Sequence, residues 1–126
     1  MVDDSLFSAA QRGAGSAGGL WRALMLEMVH RLESFVHSGG DLPPVSLATF
    51  QTVAGFWRGD SSDAATLTKA KTRTWQDLRS REGDSHSITS QASVFDRALL
   101  CLLDPTGNEA EAEDYAEWFE QMLAML

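Results

Sequence analysis

Cysteine is almost absent from this sequence, which has Cys101 alone among its 126 residues. A single cysteine excludes an internal disulfide and a cluster of thiolate metal ligands. Its neighbours in ALLCLLD are apolar, which predicts a buried thiol of low reactivity rather than a nucleophile. No apolar run approaches the ~20 residues that span a bilayer, and MVDD carries acids where a secretory signal carries bases. We therefore expect a cytoplasmic protein that does not enter a membrane.

The sequence also has little of the alternation between apolar and polar residues that predicts β-strands. Apolar residues recur instead at helical spacing in five segments, at about 19–36, 47–59, 63–83, 87–103 and 108–126. Ser46 and Asn108 precede two of these segments and are predicted N-caps. We predict an all-α fold, a single compact bundle of about five helices with short loops over residues 16–126. Residues 1–15 are glycine-rich and are expected to form a flexible or partly helical segment.

Aromatic and aliphatic side chains identify the predicted core. Trp21, Trp57, Trp75 and Trp118 each lie on the apolar arc of a different predicted helix, where a tryptophan typically anchors the packing. The run ALLCLL at residues 98–103 is apolar on all sides, so its helix is expected at the centre of the bundle. The side chains predicted to be largely buried are Trp75, Leu99, Leu102, Trp118 and Met122.

Basic residues are missing from residues 101–126, which contain seven acids and carry most of the formal net charge of −8. The negative electrostatic field of these acids repels nucleic acid and anionic lipid, and it attracts a basic protein surface. The bases of the third predicted helix are too few to reverse that expectation. They are Lys69, Lys71, Arg73, Arg79 and Arg81. Acids on the polar face of the last helix are the predicted partner-binding residues, although solubility explains them equally well. They are Glu109, Glu113, Asp114, Glu117 and Glu120.

The stretch RGAGSAGGLWRAL, residues 12–24, matches the dinucleotide-binding pattern G-x-G-x-x-G at Gly13, Gly15 and Gly18. That pattern requires a strand before the glycines and an acid at the end of a second strand about 20 residues later. Here no strand precedes the glycines, and Glu33 falls within a predicted helix. The glycines therefore indicate a flexible segment that leads into a helix, and no cofactor is predicted.

Two other groupings resemble sites of chemistry. Glu27, His30, Glu33 and His37 share one polar helix face, and Glu27 and His30 form a single E-x-x-H motif, whereas a di-iron bundle needs two inward-facing motifs. A surface zinc site from His30, Glu33 and His37 is geometrically possible, but a solvated face is favoured. The run DSHS at residues 84–87 contains the side chains of a catalytic triad. Triad members approach from different parts of a chain, so a polar loop is favoured there. We predict no catalytic residue and no metal site.

The segment FWRGDSSDAATLTKAKTRTWQDL resembles part of some all-helical immunity proteins of bacterial polymorphic toxin systems. An aromatic and basic helix end, a glycine, a polar cap and an L-x-x-A-x-x-x-x-W helix follow one another in that group. The corresponding residues here are Trp57, Gly59, residues 60–62, Leu67, Ala70 and Trp75. The resemblance covers about a fifth of the chain. It implies a small cytoplasmic protein that binds and occludes one toxin domain without catalytic residues.

Three functions remain open from the sequence. The leading one is a non-enzymatic partner-binding protein, in its specific form an immunity protein that blocks a toxin through an acidic face. The second is a self-associating structural or regulatory helical module. The third is a small metal-dependent helical enzyme that uses the face of Glu27, His30, Glu33 and His37.

Overall fold

The computed structural model describes residues 5–39, 42–60, 63–82 and 90–126. All regular structure in these ranges is helical, which confirms the all-α prediction. The helices are α1 (Leu6–Ala17), α2 (Leu20–His37), α3 (Pro44–Arg58), α4 (Ala65–Glu82), α5 (Gln91–Leu100) and α6 (Glu109–Met125). None of these helices has both the length and the apolar content that crossing a membrane requires.

Helix α1 lies largely within residues 1–15, the segment that the sequence predicts to be flexible or partly helical. The Ser5 side chain caps its N-terminus by accepting a hydrogen bond from the Ser8 N–H, and Gly18 ends it with φ of 87°. Leu6 and Ala10 are buried, and α1 packs against α2 and α6. Burial of this apolar stripe stabilises a helix that the low helix propensity of its glycines disfavours. The G-x-G-x-x-G glycines thus lie within and at the end of a helix.

The start of α3 differs from the prediction in a way that affects the core. Pro43 occupies the N-cap position and Pro44 begins the helix, as proline often does because its missing N–H has no helical partner there. Ser46 is therefore not the N-cap. It is buried, and its hydroxyl donates to Asp96 Oδ1 of α5 over 2.9 Å. In α6 the predicted cap is confirmed, since Asn108 Oδ1 accepts from the Glu111 N–H over 2.9 Å.

Helix α5 lies at the centre of the bundle and contacts α3, α4 and α6. Leu99 and Leu102 are fully buried, and Trp21, Trp57 and Met122 are also buried, as predicted. The two buried tryptophans donate hydrogen bonds to the segment that follows α5. Trp57 Nε1 donates to the Leu102 carbonyl over 2.8 Å, and Trp21 Nε1 donates to the Asp104 carbonyl over 2.9 Å.

The burial predicted for the other two tryptophans is wrong. Trp75 is 43% exposed and Trp118 is 37% exposed. On α4 the buried stripe is formed by Leu67, Ala70, Thr74 and Leu78. The 100° rotation per residue places Trp75 beside that stripe. Within the described residues α4 packs on α3 and α5 but makes no contact with α6. Trp75 of α4 and Trp118 of α6 therefore line a gap between these two helices instead of packing within the core.

Candidate partner-binding groove

A groove of about 460 Å³ lies between α4 and α6 above the end of α5. Both helices pack on α5, so the groove has two helical walls and a floor. We call it the α4–α6 groove and define it by its lining. The lining residues are Lys71 and Trp75 from α4; Leu100, Cys101 and Asp104 from the end of α5 and the loop after it; and Asp114, Tyr115 and Trp118 from α6.

Each wall presents a tryptophan together with a charged residue one helical turn earlier. Lys71 and Trp75 are separated by four positions on α4, and so are Asp114 and Trp118 on α6, which places each pair on one side of its helix. In the described part of the chain, neither indole ring is paired with another aromatic ring. Two large aromatic surfaces thus remain available at one cleft.

Asp104 lines the groove and contacts three other residues. The Tyr115 hydroxyl donates to its Oδ2, and Lys71 Nζ lies 3.7 Å from its Oδ1. Its backbone carbonyl accepts the hydrogen bond from Trp21. The hydrogen bonds from Tyr115 and Trp21 position Asp104 relative to α6 and α2, and Lys71 brings a positive charge from α4 beside its carboxylate.

The packing beneath this carboxylate is tight. The rings of Trp21 and Tyr115 meet edge to face, with centroids 5.1 Å apart and an interplanar angle of 61°. Gly107 lies so close to the Trp21 ring that a β-carbon added there would overlap it. The loop between α5 and α6 therefore packs directly on the indole of Trp21, and this packing holds the groove residues of the loop in place.

Two titratable groups of the groove, Tyr115 and Cys101, have raised pKa values. The hydrogen bond to Asp104, with a smaller contribution from burial, raises the pKa of Tyr115 to about 12. Burial, followed by the nearby charge of Asp104, raises the pKa of Cys101 to about 12, and the residue is buried as predicted. Both groups hold their protons at neutral pH, so Cys101 offers no thiolate nucleophile and Tyr115 no phenolate base.

The electrostatic character of the two walls differs. On α6, Glu111 and Asp114 precede Trp118 by seven and four positions, and Glu111 lies near enough to Tyr115 to raise its pKa slightly. Beyond Trp75, a shallower depression on α4 is lined by Thr72, Gln76 and Arg79 together with Trp75 itself. The indole of Trp75 thus separates the acidic side of the groove from the basic outer surface of α4.

The acids predicted to bind a partner have different surroundings in the structure. Asp114 lines the groove, whereas Glu109, Glu113 and Glu117 are exposed outside it. Glu120 has a different role, since its Oε1 accepts a hydrogen bond from the backbone N–H of Leu6. A carboxylate at this position stabilises the N-terminus of α1, whose first N–H groups have no helical partner.

The E-x-x-H face of α2 is occupied by ion pairs. Glu27 pairs with Arg31 at 3.4 Å, and Glu33 pairs with Arg58 of α3 at 2.8 Å. The hydrogen bond from Arg58 lowers the pKa of Glu33. The described residues contain no group of three or more histidine, cysteine or acidic side chains placed to hold a metal ion. The run DSHS, residues 84–87, lies outside the described residues.

Sequence reasoning missed the α4–α6 groove. The residues beside the tryptophans give no signal, because the buried Trp21 and Trp57 are each followed by an arginine, while the exposed Trp118 is followed by Phe119. Searches for similar proteins do not supplement this geometry. No protein-family model, no curated protein and no solved structure matched the chain significantly.

Proposed function

We propose that this protein is a non-enzymatic binding protein that docks a segment of a protein partner in the α4–α6 groove. The observation that carries the proposal is the pair of exposed tryptophans, Trp75 and Trp118, lining one cleft. Tryptophan is among the residues most enriched at the energetic centres of protein interfaces. A large aromatic surface that stays exposed after folding forgoes stabilisation by burial, which favours a role in binding.

The rigid base of the groove supports the same proposal. Asp104, Tyr115 and Trp21 hold one another through hydrogen bonds and ring packing, so the end of the groove is ordered before a partner arrives. Preorganisation of this kind reduces the entropy lost on association. The buried, protonated Cys101 provides an apolar floor for a bound segment. The Tyr115 hydroxyl donates its proton to Asp104 and keeps its capacity to accept a hydrogen bond from that segment.

In its specific form, the proposal is an immunity protein that occludes a cognate toxin domain in the cytoplasm. This form rests on the resemblance of the segment from residue 56 to residue 78 to immunity proteins. In that segment Leu67 and Ala70 are buried, whereas Trp75 is exposed in the groove. The exposed acids of α6, among them Glu113 and Glu117, would steer a basic partner towards the groove without forming its centre.

A self-associating module is the second candidate, and the charges of the two walls favour it specifically. The outer surface of α4 is basic through Lys69, Arg73 and Arg79, and the outer surface of α6 is acidic through Glu113 and Glu117. Two copies placed antiparallel would bring these surfaces together. Light scattering of the purified chain at low and high salt tests this arrangement, which requires a dimer that dissociates as salt screens the charges.

The test of the proposal uses the product of the neighbouring gene as the candidate toxin. Co-expression should protect cells when the binding protein is wild type, and purified proteins should form a stoichiometric complex. The double variant Trp75→Ala/Trp118→Ala should weaken that complex by about 100-fold or more, since each hot-spot truncation costs about 2 kcal/mol or more. Circular dichroism establishes that the variant is folded.

Val45→Ala is the matched control, because Val45 is an exposed apolar residue on α3 outside the groove. It should bind like wild type. Full binding and protection by the double tryptophan variant would show that the partner docks elsewhere and would overturn the proposal. Full binding by the single variant Asp104→Asn would not overturn the proposal, because the proposed contact is made by the two tryptophans and not by Asp104.

A further inference from the structure

We infer that the α4–α6 groove recognises an arginine side chain of the partner, with its guanidinium held against Trp75 and Trp118 and paired with the carboxylates of Asp104 and Asp114. This inference rests on the proposed function and adds the chemistry of the central contact. It identifies the partner as a protein that presents an exposed arginine on the segment that enters the groove.

The aromatic lining supplies the first part of the argument. Trp75 and Trp118 are exposed on opposite walls, and Tyr115 adds a third aromatic ring to the lining. A guanidinium is planar and weakly hydrated, so it stacks on an indole more readily than a compact ammonium group does. Neither indole makes a contact with another ring in the described residues, and both side chains are partly exposed, so part of each ring is accessible to such a group.

The charges of the groove supply the second part. Two carboxylates, Asp104 and Asp114, line it against one cation, Lys71, and Glu111 adds a further negative charge beside Tyr115. A cation is therefore attracted into the groove, and an anionic side chain directed at Lys71 would be opposed by three carboxylates. Arginine also matches a carboxylate with two parallel hydrogen bonds.

Lys71 shows that a cation fits beside Asp104 and that it is held loosely there. Its ammonium lies 3.7 Å from Asp104 Oδ1, and the lysine side chain is half exposed. Exposed ion pairs of this kind contribute little to stability, so a partner's guanidinium can displace the ammonium at low cost. The chain's own lysine therefore competes with the partner's arginine for the same carboxylate.

The experiment titrates the full chain with N-acetyl-arginine amide and, in parallel, with N-acetyl-citrulline amide, which has nearly the same shape without the charge. Nuclear magnetic resonance of the four indole N–H groups reports on each tryptophan separately. The signals of Trp75 and Trp118 should shift with the arginine compound. Those of Trp21 and Trp57 are internal controls, since both are buried and their Nε1 groups are hydrogen-bonded to backbone carbonyls.

The arginine compound should bind at least about tenfold more tightly than the citrulline compound, because citrulline has no charge to place against the indoles and carboxylates. Two variants should act in opposite directions. Lys71→Gln should tighten binding by removing the competing cation, and Asp114→Asn should weaken it severalfold. Asp63→Asn is the control for a change of charge alone, since Asp63 is exposed at the start of α4 and outside the groove lining.

Equal binding of the two compounds would overturn the inference, as would the lack of a saturable shift below about 100 mM, a weak affinity even for one side chain. Saturable binding of N-acetyl-glutamate amide in place of the arginine compound would assign the groove to an anion and would also overturn it. The proposed function fails separately. If the double tryptophan variant loses the partner and the wild-type protein does not bind the arginine compound, the docking proposal stands and only this inference fails.

Discussion

Three atoms of Asp104 each contact a different helix. Its carbonyl accepts from Trp21 of α2, its Oδ2 accepts from Tyr115 of α6, and its Oδ1 faces Lys71 of α4. A change of this residue therefore acts on the groove at several points at once. The neighbouring residues Tyr115 and Gly107 allow separate measurements of the hydrogen bond and of the packing.

Tyr115 gives the first prediction, because it is the only tyrosine in the chain and its ionisation can be followed by absorbance. Its pKa is raised from 10.0 to about 12, chiefly by the hydrogen bond to Asp104. A pKa raised on folding contributes stability that is fully present below pH 10 and is lost as the pH rises towards 12. We therefore expect the free energy of unfolding to fall across this range.

The variant Asp104→Asn should return the tyrosine pKa towards 10, because it removes the charge that favours the protonated phenol. Asp114→Asn should leave the titration close to that of wild type, since Asp114 is not among the residues that shift this pKa. Circular dichroism at each pH separates ionisation from unfolding. A wild-type tyrosine that ionises near pH 10 with its helical signal intact would contradict the hydrogen bond.

Gly107 gives the second prediction. The substitution Gly107→Ala places a methyl group into the Trp21 ring, and overpacking of this kind costs about 1–3 kcal/mol. Gly13→Ala is a matched control, since a β-carbon at that helical position meets nothing within 4 Å and should stabilise α1 by about 0.5–1 kcal/mol. Urea unfolding of both variants measures the difference. Equal stability of Gly107→Ala and wild type would show that the loop moves freely over Trp21.

At the scale of elements, α1 illustrates how a weak helix former becomes part of the bundle. Its interior contains Gly13 and Gly15, which reduce its intrinsic helix stability. The fully buried Leu6 and the contact between its N–H and Glu120 attach the start of the helix to α6. The helix is thus stabilised by contacts that no local pattern contains.

The third prediction follows from this attachment. Deletion of residues 1–15 should lower the melting temperature clearly, and Leu6→Ala should cost about 2–5 kcal/mol, the usual range for a buried leucine. Glu120→Gln should lower stability slightly. The amide oxygen can still accept the hydrogen bond from the Leu6 N–H, but the negative charge that interacts favourably with the N-terminus of α1 is lost. An unchanged melting temperature on deletion would show that α1 is detached in solution.

At the scale of the whole molecule, the separation of charge between α4 and α6 is the main feature. Residues 101–126 contain seven acids and no base, and the exposed bases of α4 lie on the other side of the groove. Glu113 and Glu117 are one turn apart on α6, and like charges at this spacing are mildly destabilising. The fold does not need these two carboxylates.

The fourth prediction concerns the double variant Glu113→Gln/Glu117→Gln. Its melting temperature should equal or exceed that of wild type, because one repulsive pair is removed. Its association with a basic partner should be slower at low salt and similar at high salt, since steering acts on the association rate. Stopped-flow kinetics at two salt concentrations provide the measurement. A salt-independent association rate equal to wild type would leave solubility as the reason for these acids.

The sequence by itself determined the helices and several of their ends. Apolar spacing placed five of the helices, Asn108 marked the start of α6, and the all-apolar run around Leu99 and Cys101 identified the buried centre. These features depend on the period of the α-helix and on local hydrogen bonds, which are properties of neighbouring residues. The all-α class of the protein follows from them.

Only the tertiary structure decided which apolar faces are covered. Trp57 and Trp75 lie in similar helical patterns, yet Trp57 is buried and Trp75 is exposed, because helical periodicity gives the direction of a face and not the neighbour that reaches it. Likewise, Ser46 bonds to Asp96 across 50 positions, and Glu120 accepts from Leu6 across 114. The α4–α6 groove exists for this reason, since α4 and α6 both pack on α5 and, within the described residues, not on each other.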